Sequence, residues 1–266
     1  MRFIRVLIAL VTSVVLSGCI DSSTLIKLKP DGSGTIEQTT LLNLGAMKAM
    51  MPGQPNKPTG PILTDEELKR AAERMGKGVR LVSSEPIKNG NFEGVKAIFS
   101  FDDINQVQVN QDPASSGPPG AATTSRENDP VKFTLARNGA SSLLTIAFQD
   151  KPGSLSPPSS GGTQPGMPDL TNPMIMNMIK SMFEGFKINI SLEPVGTIVK
   201  TNAEYVTGSR ITLLELDLAA LLADEAKLKE LQSRFGPNSS LSQVKPYLKD
   251  IKGIKVDGPT ITVEFK

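Results

Sequence analysis

Few side chains in this sequence can do chemistry, because it holds 0 His and 1 Cys among 266 residues. A Ser-His-Asp triad, a Cys-His nucleophile, a Cys/His zinc site and an intramolecular disulfide are therefore excluded. Carboxylates remain as acids and bases, and the candidates by position are Asp31, Glu93, Asp102 and Asp103. Turn and capping roles are favoured for them, since aspartate is frequent in turns and helix caps. We predict no enzyme, no metal site and no cofactor, and keep a carboxylate-dependent hydrolase as the least favoured alternative.

The lone thiol, Cys19, follows a segment with the features of a secretory signal. Residues 1–18 contain two arginines and no acid, and an apolar run covers residues 6–16. That run is shorter than the roughly 20 residues of a membrane-spanning helix, and it fits the h-region of a signal peptide. We predict a signal peptide over residues 1–18. An ordinary signal peptide with an incidental cysteine at its cleavage site is the alternative.

The tetrad Leu16-Ser17-Gly18-Cys19 resembles the lipobox of bacterial lipoproteins. The resemblance implies cleavage before Cys19, attachment of palmitate-type acyl chains there, and an extracytoplasmic protein anchored to the membrane. Two or more chains anchor stably, since each buried methylene contributes about 0.8 kcal/mol. Ile20 stands where inner-membrane lipoproteins of enteric bacteria carry Asp, which favours the outer membrane if the organism has one.

The charge of the mature chain is balanced. The sequence has 29 Lys+Arg against 27 Asp+Glu, and both excess positive charges lie in the signal segment. Binding of nucleic acid depends largely on neutralising phosphates, so a nucleic-acid partner is not expected.

A methionine-rich segment predicts an amphipathic helix that begins at Asn172-Pro173, an N-cap followed by a first-turn proline. Its polar half carries Asn177, Lys180, Ser181 and Glu184. Methionine is flexible and polarizable, so the apolar half is our candidate surface for an acyl chain or a protein partner. Packing of that half in the core is the simpler interpretation and stays open. The candidate ligand-binding residues are Met174, Ile175, Met178, Ile179, Met182 and Phe183.

Hairpin signals alternate with a few helices along residues 19–266, which we predict to form a single domain. Turn residues at 30–34 separate two alternating strands, and strands at 197–200 and 209–216 are predicted to pair. Short turns join the strands. We therefore predict an α+β fold of mainly antiparallel β-hairpins, with three or four helices packed on one face.

Helix signals complete this prediction. Thr64 and Glu67 form a capping box before an apolar stripe, and Asp217 is placed to cap a helix over 218–235. A short helix is predicted over 241–248. Residues 111–128 and 151–168 are rich in Pro, Gly and Ser and are predicted to be mobile loops.

Two stretches resemble a known group of proteins. They are I-K-L-K-P-D-G-S-G-T at 26–35, directly after the lipobox, and P-V-G-T-I-V at 194–199 followed by Asn202, Gly208 and I-T-L at 211–213. Both resemble uncharacterised bacterial lipoproteins similar to the mycobacterial LppM-like domain. The resemblance implies an α+β domain at a membrane surface that binds lipid or glycolipid, and it brings no catalytic residues.

We therefore expect a non-enzymatic lipoprotein that is held at the membrane through Cys19 and binds an apolar or lipid ligand, or an envelope protein. A structural or assembly role without a ligand is the alternative.

Overall fold

The computed structural model describes residues 20–44, 63–109, 131–148, 177, 180, 185–235 and 239–266. These residues form two β-sheets and four α-helices, which confirms the predicted α+β class. The first nine strands are β1 (Ile20–Leu28), β2 (Gly34–Asn43), β3 (Arg80–Asn89), β4 (Phe92–Phe101), β5 (Gln108–Val109), β6 (Val131–Asn138), β7 (Ser141–Ala147), β8 (Lys187–Pro194) and β9 (Ile198–Thr201). The last four are β10 (Val206–Thr207), β11 (Arg210–Asp217), β12 (Ile254–Val256) and β13 (Thr260–Phe265).

The larger sheet has eight strands in the order β10-β11-β8-β1-β2-β4-β3, with β12 paired to β11. The pair β1–β8 is parallel, and the other described strand pairs are antiparallel. The predicted hairpin at residues 30–34 is present, with Gly32 at φ +89° inside the turn. A glycine suits this turn because positive φ strains a residue with a Cβ atom.

The smaller sheet has the order β5-β6-β7-β13-β9 and packs at one end of the larger sheet. Phe133, Ile146 and Phe265 from the smaller sheet join Ile26 and Phe99 from the larger one in a shared buried cluster. Side chains alternate between two faces of a strand, so each sheet contributes one face to this core.

The four helices are α1 (Asp65–Met75), α2 (Leu218–Ala223), α3 (Glu225–Arg234) and α4 (Leu241–Leu248). All four begin with capping residues, and the Thr64–Glu67 capping box is present at α1. The single helix predicted over 218–235 is wrong in one respect, because the chain breaks at Asp224. Asp224 ends α2, and its carboxylate accepts the backbone N–H of Lys227 at 2.9 Å, which starts α3.

The helices contact one face of the larger sheet, which we call the inner face. Leu68 of α1 lies in the core cluster with Phe99, and Val244 of α4 packs in a second cluster that includes Leu214. Leu214 pairs with Ile190, itself a member of the first cluster, so both helices lie on the same side.

The predicted pairing of strands 197–200 and 209–216 is wrong. Strand β9 pairs with β13 in the smaller sheet, and β11 pairs with β8, β10 and β12 in the larger one. The segment between them therefore crosses from one sheet to the other. No helix among the described residues combines the length and apolarity needed to cross a membrane.

Candidate functional site

The predicted ligand-binding residues Met174, Ile175, Met178, Ile179, Met182 and Phe183 lie outside the described residues, as does Cys19. The predicted loops at 111–128 and 151–168 lie outside them too. Two residues of the predicted helix are described, Asn177 and Lys180, and both are helical. Both belong to the half predicted to be polar, and Asn177 is exposed.

Lys180 connects this segment to α3. Its Nζ donates to Oε1 of Glu225 at 2.8 Å, and this hydrogen bond, with the nearby charge, lowers the pKa of the Glu225 carboxyl. Glu225 is the first residue of α3, where a carboxylate is also favoured by the helix dipole. Lys180 is thus linked by an ion pair to the first turn of α3.

After this segment the chain enters β8 through Gly185 and Phe186. Gly185 has φ +84°, and a Cβ there would lie 3.2 Å from Cζ of Phe92. Phe186 is buried, and its carbonyl accepts the backbone N–H of Leu218 at 3.1 Å. The methionine-rich segment therefore ends at the same end of the sheet as the start of β1, because Lys187 pairs with Asp21.

Near the end of the sheet where β1 and β8 begin, the inner face carries no charged side chain on its central strands β1, β2 and β8. Thr24 of β1 pairs with Ile190 of β8 and Gln38 of β2, and Thr40 of β2 pairs with Val95 of β4. Both threonines are buried, at 9% and 8% exposure. Apolar side chains with interspersed hydroxyl groups suit the chain of a lipid better than a charged metabolite.

The opposite, outer face carries a series of cross-strand ion pairs. Five are found there, namely Lys27–Glu37, Lys96–Glu85, Lys187–Asp217, Arg210–Glu193 and Lys255–Glu215. Opposite charges on neighbouring strands stabilise a sheet modestly. Because each of these cations has an acidic partner, these described pairs leave no unpaired positive charge for phosphates.

A small charged cluster lies where β1 begins. Burial is the main influence on the pKa of the Asp21 carboxyl and raises it. The nearby Lys187 ammonium lowers this pKa in part, and the Asp217 carboxylate raises it. Lys187 Nζ contacts Asp217 Oδ2 at 3.1 Å. Sequence reasoning missed this cluster, since it depends on the parallel pairing of β1 and β8.

Three of the four candidate carboxylates lie near the β1–β2 turn, each with a hydrogen-bond partner of its own, and the fourth lies elsewhere. Asp31 accepts hydrogen bonds from the backbone and hydroxyl of Ser33 at 2.9 and 2.7 Å, which lowers its pKa, and it lies in the β1–β2 turn. Glu93 lies at the other end of the sheet, where it contacts Lys88 at 3.2 Å. The described residues contain no group of three or more acidic, His or Cys side chains that could hold a metal ion.

The two neighbouring aspartates have different roles. Asp103 caps a 3₁₀ turn (Ile104–Gln106), accepting the backbone N–H of Asn105 at 2.9 Å, as predicted. Asp102 caps nothing and instead accepts a hydrogen bond from Arg80 at 2.6 Å in an exposed pair. Both arrangements are structural.

No family model and no curated protein matches this chain. A distant structural resemblance is found to the folded domain of the Mycobacterium tuberculosis LppM protein, solved by NMR. The two share 12% identity and a TM-score of 0.38 over 94% of this chain and 91% of that one. The functional proposal below therefore depends on this chain's own residues.

Proposed function

We propose that this chain is a non-enzymatic lipoprotein, anchored on the extracytoplasmic side of a membrane through Cys19. It binds an apolar ligand, either the acyl chain of a lipid or the apolar surface of an envelope protein. The binding surface is the apolar half of the helix predicted at 174–183. The outer membrane is the expected location if the organism has one.

The tetrad Leu16-Ser17-Gly18-Cys19 at the end of the signal segment carries the anchoring proposal, and the position of β1 is compatible with it. β1 begins at Ile20, the residue directly after Cys19, and it is a central strand of the larger sheet. Every described strand therefore lies beyond the predicted cleavage site. Cleavage before Cys19 would leave each described strand whole.

The roles of the carboxylates support a binding protein over a hydrolase. A hydrolase of this type needs two carboxylates facing one substrate bond, about 5–10 Å apart. Here Glu93 lies at the opposite end of the sheet from Asp31, and the neighbouring carboxylates of Asp31 and Asp103 each accept hydrogen bonds within their own turns. The uncharged inner face near Thr24 supports an apolar ligand.

Native mass spectrometry of the protein extracted from membranes in mild detergent tests the binding surface. We expect the wild type to carry lipid or a crosslinked envelope protein, and Met178→Glu to lose it. Asn177→Glu is the matched control, because Asn177 is adjacent and exposed, and it should retain the bound species. Thermal unfolding of both variants separates loss of binding from loss of folding.

A structural role without a ligand is the second candidate. The Lys180–Glu225 ion pair and the burial of Phe186 favour it, since both fix the segment to the body of the domain. A wild-type protein that carries neither lipid nor partner in the same experiment would support this role and contradict the binding proposal.

A further inference from the structure

The position of β1 within the sheet constrains how an anchored domain sits on a membrane. Four paired residues form a row across the sheet. Ile20 of β1 pairs with Leu42 of β2, Leu42 pairs with Glu93 of β4, and Glu93 pairs with Lys88 of β3. The β3–β4 turn at residues 89–91 extends beyond this row. An anchor on the preceding residue, Cys19, therefore starts beside this end of the sheet and has no linker in which the domain could turn away.

The opposite end of the sheet is far from the anchor. β1 has nine residues, so Leu28 lies about 26 Å from Ile20 at about 3.3 Å per residue. The smaller sheet packs at this far end. Ser142 of β7 donates to the carbonyl of Pro30 at 2.9 Å, and Arg137 of β6 donates to the carbonyl of Asp31 at 2.8 Å.

Neither face of the larger sheet suits contact with hydrocarbon. The inner face packs against the smaller sheet and the helices. The outer face carries the five cross-strand ion pairs, whose side chains are 23–68% exposed. Moving these charges out of water would be costly. The β3–β4 turn at the end of the sheet is different, because its tip Asn89-Gly90-Asn91 is uncharged and exposed, and the flanking Lys88 and Glu93 are paired with each other at 3.2 Å.

We infer that the domain stands end-on upon the bilayer, with the β3–β4 turn at residues 89–91 among the lipid headgroups and the smaller sheet pointing away. This inference rests on the proposed anchoring at Cys19. It assigns a membrane-contact surface that is separate from the acyl anchor and from the surface proposed to bind ligand.

Site-specific fluorophores test the orientation. The chain has 1 Cys, and lipidation consumes its thiol, so an introduced cysteine is the only reactive one in the mature protein. Asn91→Cys reports on the turn, and Asn89→Cys is a second reporter there in case the first variant folds poorly. Val195→Cys is the control, since Val195 is 50% exposed and its backbone N–H bonds the carbonyl of Leu28 at the far end.

The labelled, lipidated proteins are reconstituted into vesicles of phosphatidylethanolamine and phosphatidylglycerol that contain a lipid with a nitroxide headgroup. We expect the label at 91 or 89 to lose emission and the label at 195 to keep it. Equal quenching of both ends, or quenching at 195 alone, in vesicle-bound protein would overturn the orientation and leave the anchoring intact. A wild-type protein that takes up the fluorophore and does not bind vesicles would overturn the anchoring, and the orientation with it.

Discussion

Asp21 of β1 lies opposite Lys187 of β8 in the parallel pair of the larger sheet. Because the two strands run in the same direction, the segments that precede them reach the same end of the sheet. Those segments are the predicted lipid anchor at Cys19 and the methionine-rich stretch that ends before Gly185. The pairing thus places the described residues that directly follow these two segments, Ile20 and Gly185, at the end of the sheet proposed to face the membrane.

The core shared by both sheets should dominate stability. Phe99 has 0% exposure in that core, so Phe99→Ala is expected to lower the free energy of unfolding by about 3–5 kcal/mol. Urea denaturation of the wild type and the variant measures this loss. Val82 is 61% exposed, and Val82→Ala should change the value by less than about 0.5 kcal/mol. Similar losses in the two variants would contradict the assignment of the core.

Glycine should be required at position 94 for stability, because the backbone of β2 approaches it closely. A Cβ atom at this position would collide with the carbonyl oxygen of Thr40 and Cα of Leu41, which are backbone atoms. We expect Gly94→Ala to destabilise the fold by about 1–3 kcal/mol, because β2 would have to shift.

Gly258 provides the matched control for this substitution. A Cβ there would meet its nearest atom, the carbonyl oxygen of Thr260, at 3.8 Å, an ordinary contact. Gly258→Ala should therefore leave the denaturation midpoint near that of the wild type. A Gly94→Ala variant as stable as Gly258→Ala would show that β2 and β4 are not paired in this register.

The neighbouring aspartates Asp102 and Asp103 should differ in their effect on stability. Asp103→Ala removes the cap of the 3₁₀ turn and is expected to cost about 0.5–2 kcal/mol. Asp102→Ala removes an exposed ion pair with Arg80, which typically contributes about 0–1 kcal/mol. Thermal unfolding of both variants checks this order, and the reverse order would refute the capping role of Asp103.

Asp257 should make stability depend on pH. Burial raises its pKa above the ordinary 3.8, although the backbone N–H groups of Gly258 and Glu204 lower it in part. The folded state therefore holds this proton more tightly than the unfolded chain. The free energy of unfolding should then fall as pH rises from about 3.8 to the raised pKa.

Asp257→Asn tests this dependence, because the amide does not ionise and its oxygen can keep one of the two backbone hydrogen bonds that Asp257 accepts. We expect its stability curve to lack the contribution that falls over that pH range, as measured by denaturation at a series of pH values. An identical pH profile in wild type and variant would assign the effect to other groups, such as Asp21.

Local features of the fold were predictable because they depend on residues close in sequence. The turn at Gly32 and the capping box at Thr64 and Glu67 each involve a few neighbouring residues, and both were predicted correctly. The break at Asp224 was missed because the apolar stripe of the predicted helix runs on past it. Its signal was present, since aspartate is a strong N-cap residue.

Long-range pairings could not be predicted in the same way. The parallel pair β1–β8 joins residues more than 150 positions apart, and β9 pairs with β13 rather than with the nearby β11. Hairpin signals report only on antiparallel neighbours. The charged cluster around Asp21 depends on that parallel pair, so no signal near Asp21 could have located it. The predicted ligand-binding residues at 174–183 stay a prediction.

Mass spectrometry of the N-terminal peptide of the mature protein tests the central proposal most directly. We predict a peptide that begins at Cys19 and carries the added mass of a diacylglyceryl group, with a Cys19→Ser variant that is neither cleaved at this position nor lipidated. A mature wild-type protein that begins elsewhere, or that begins at Cys19 with a free thiol, would contradict the account.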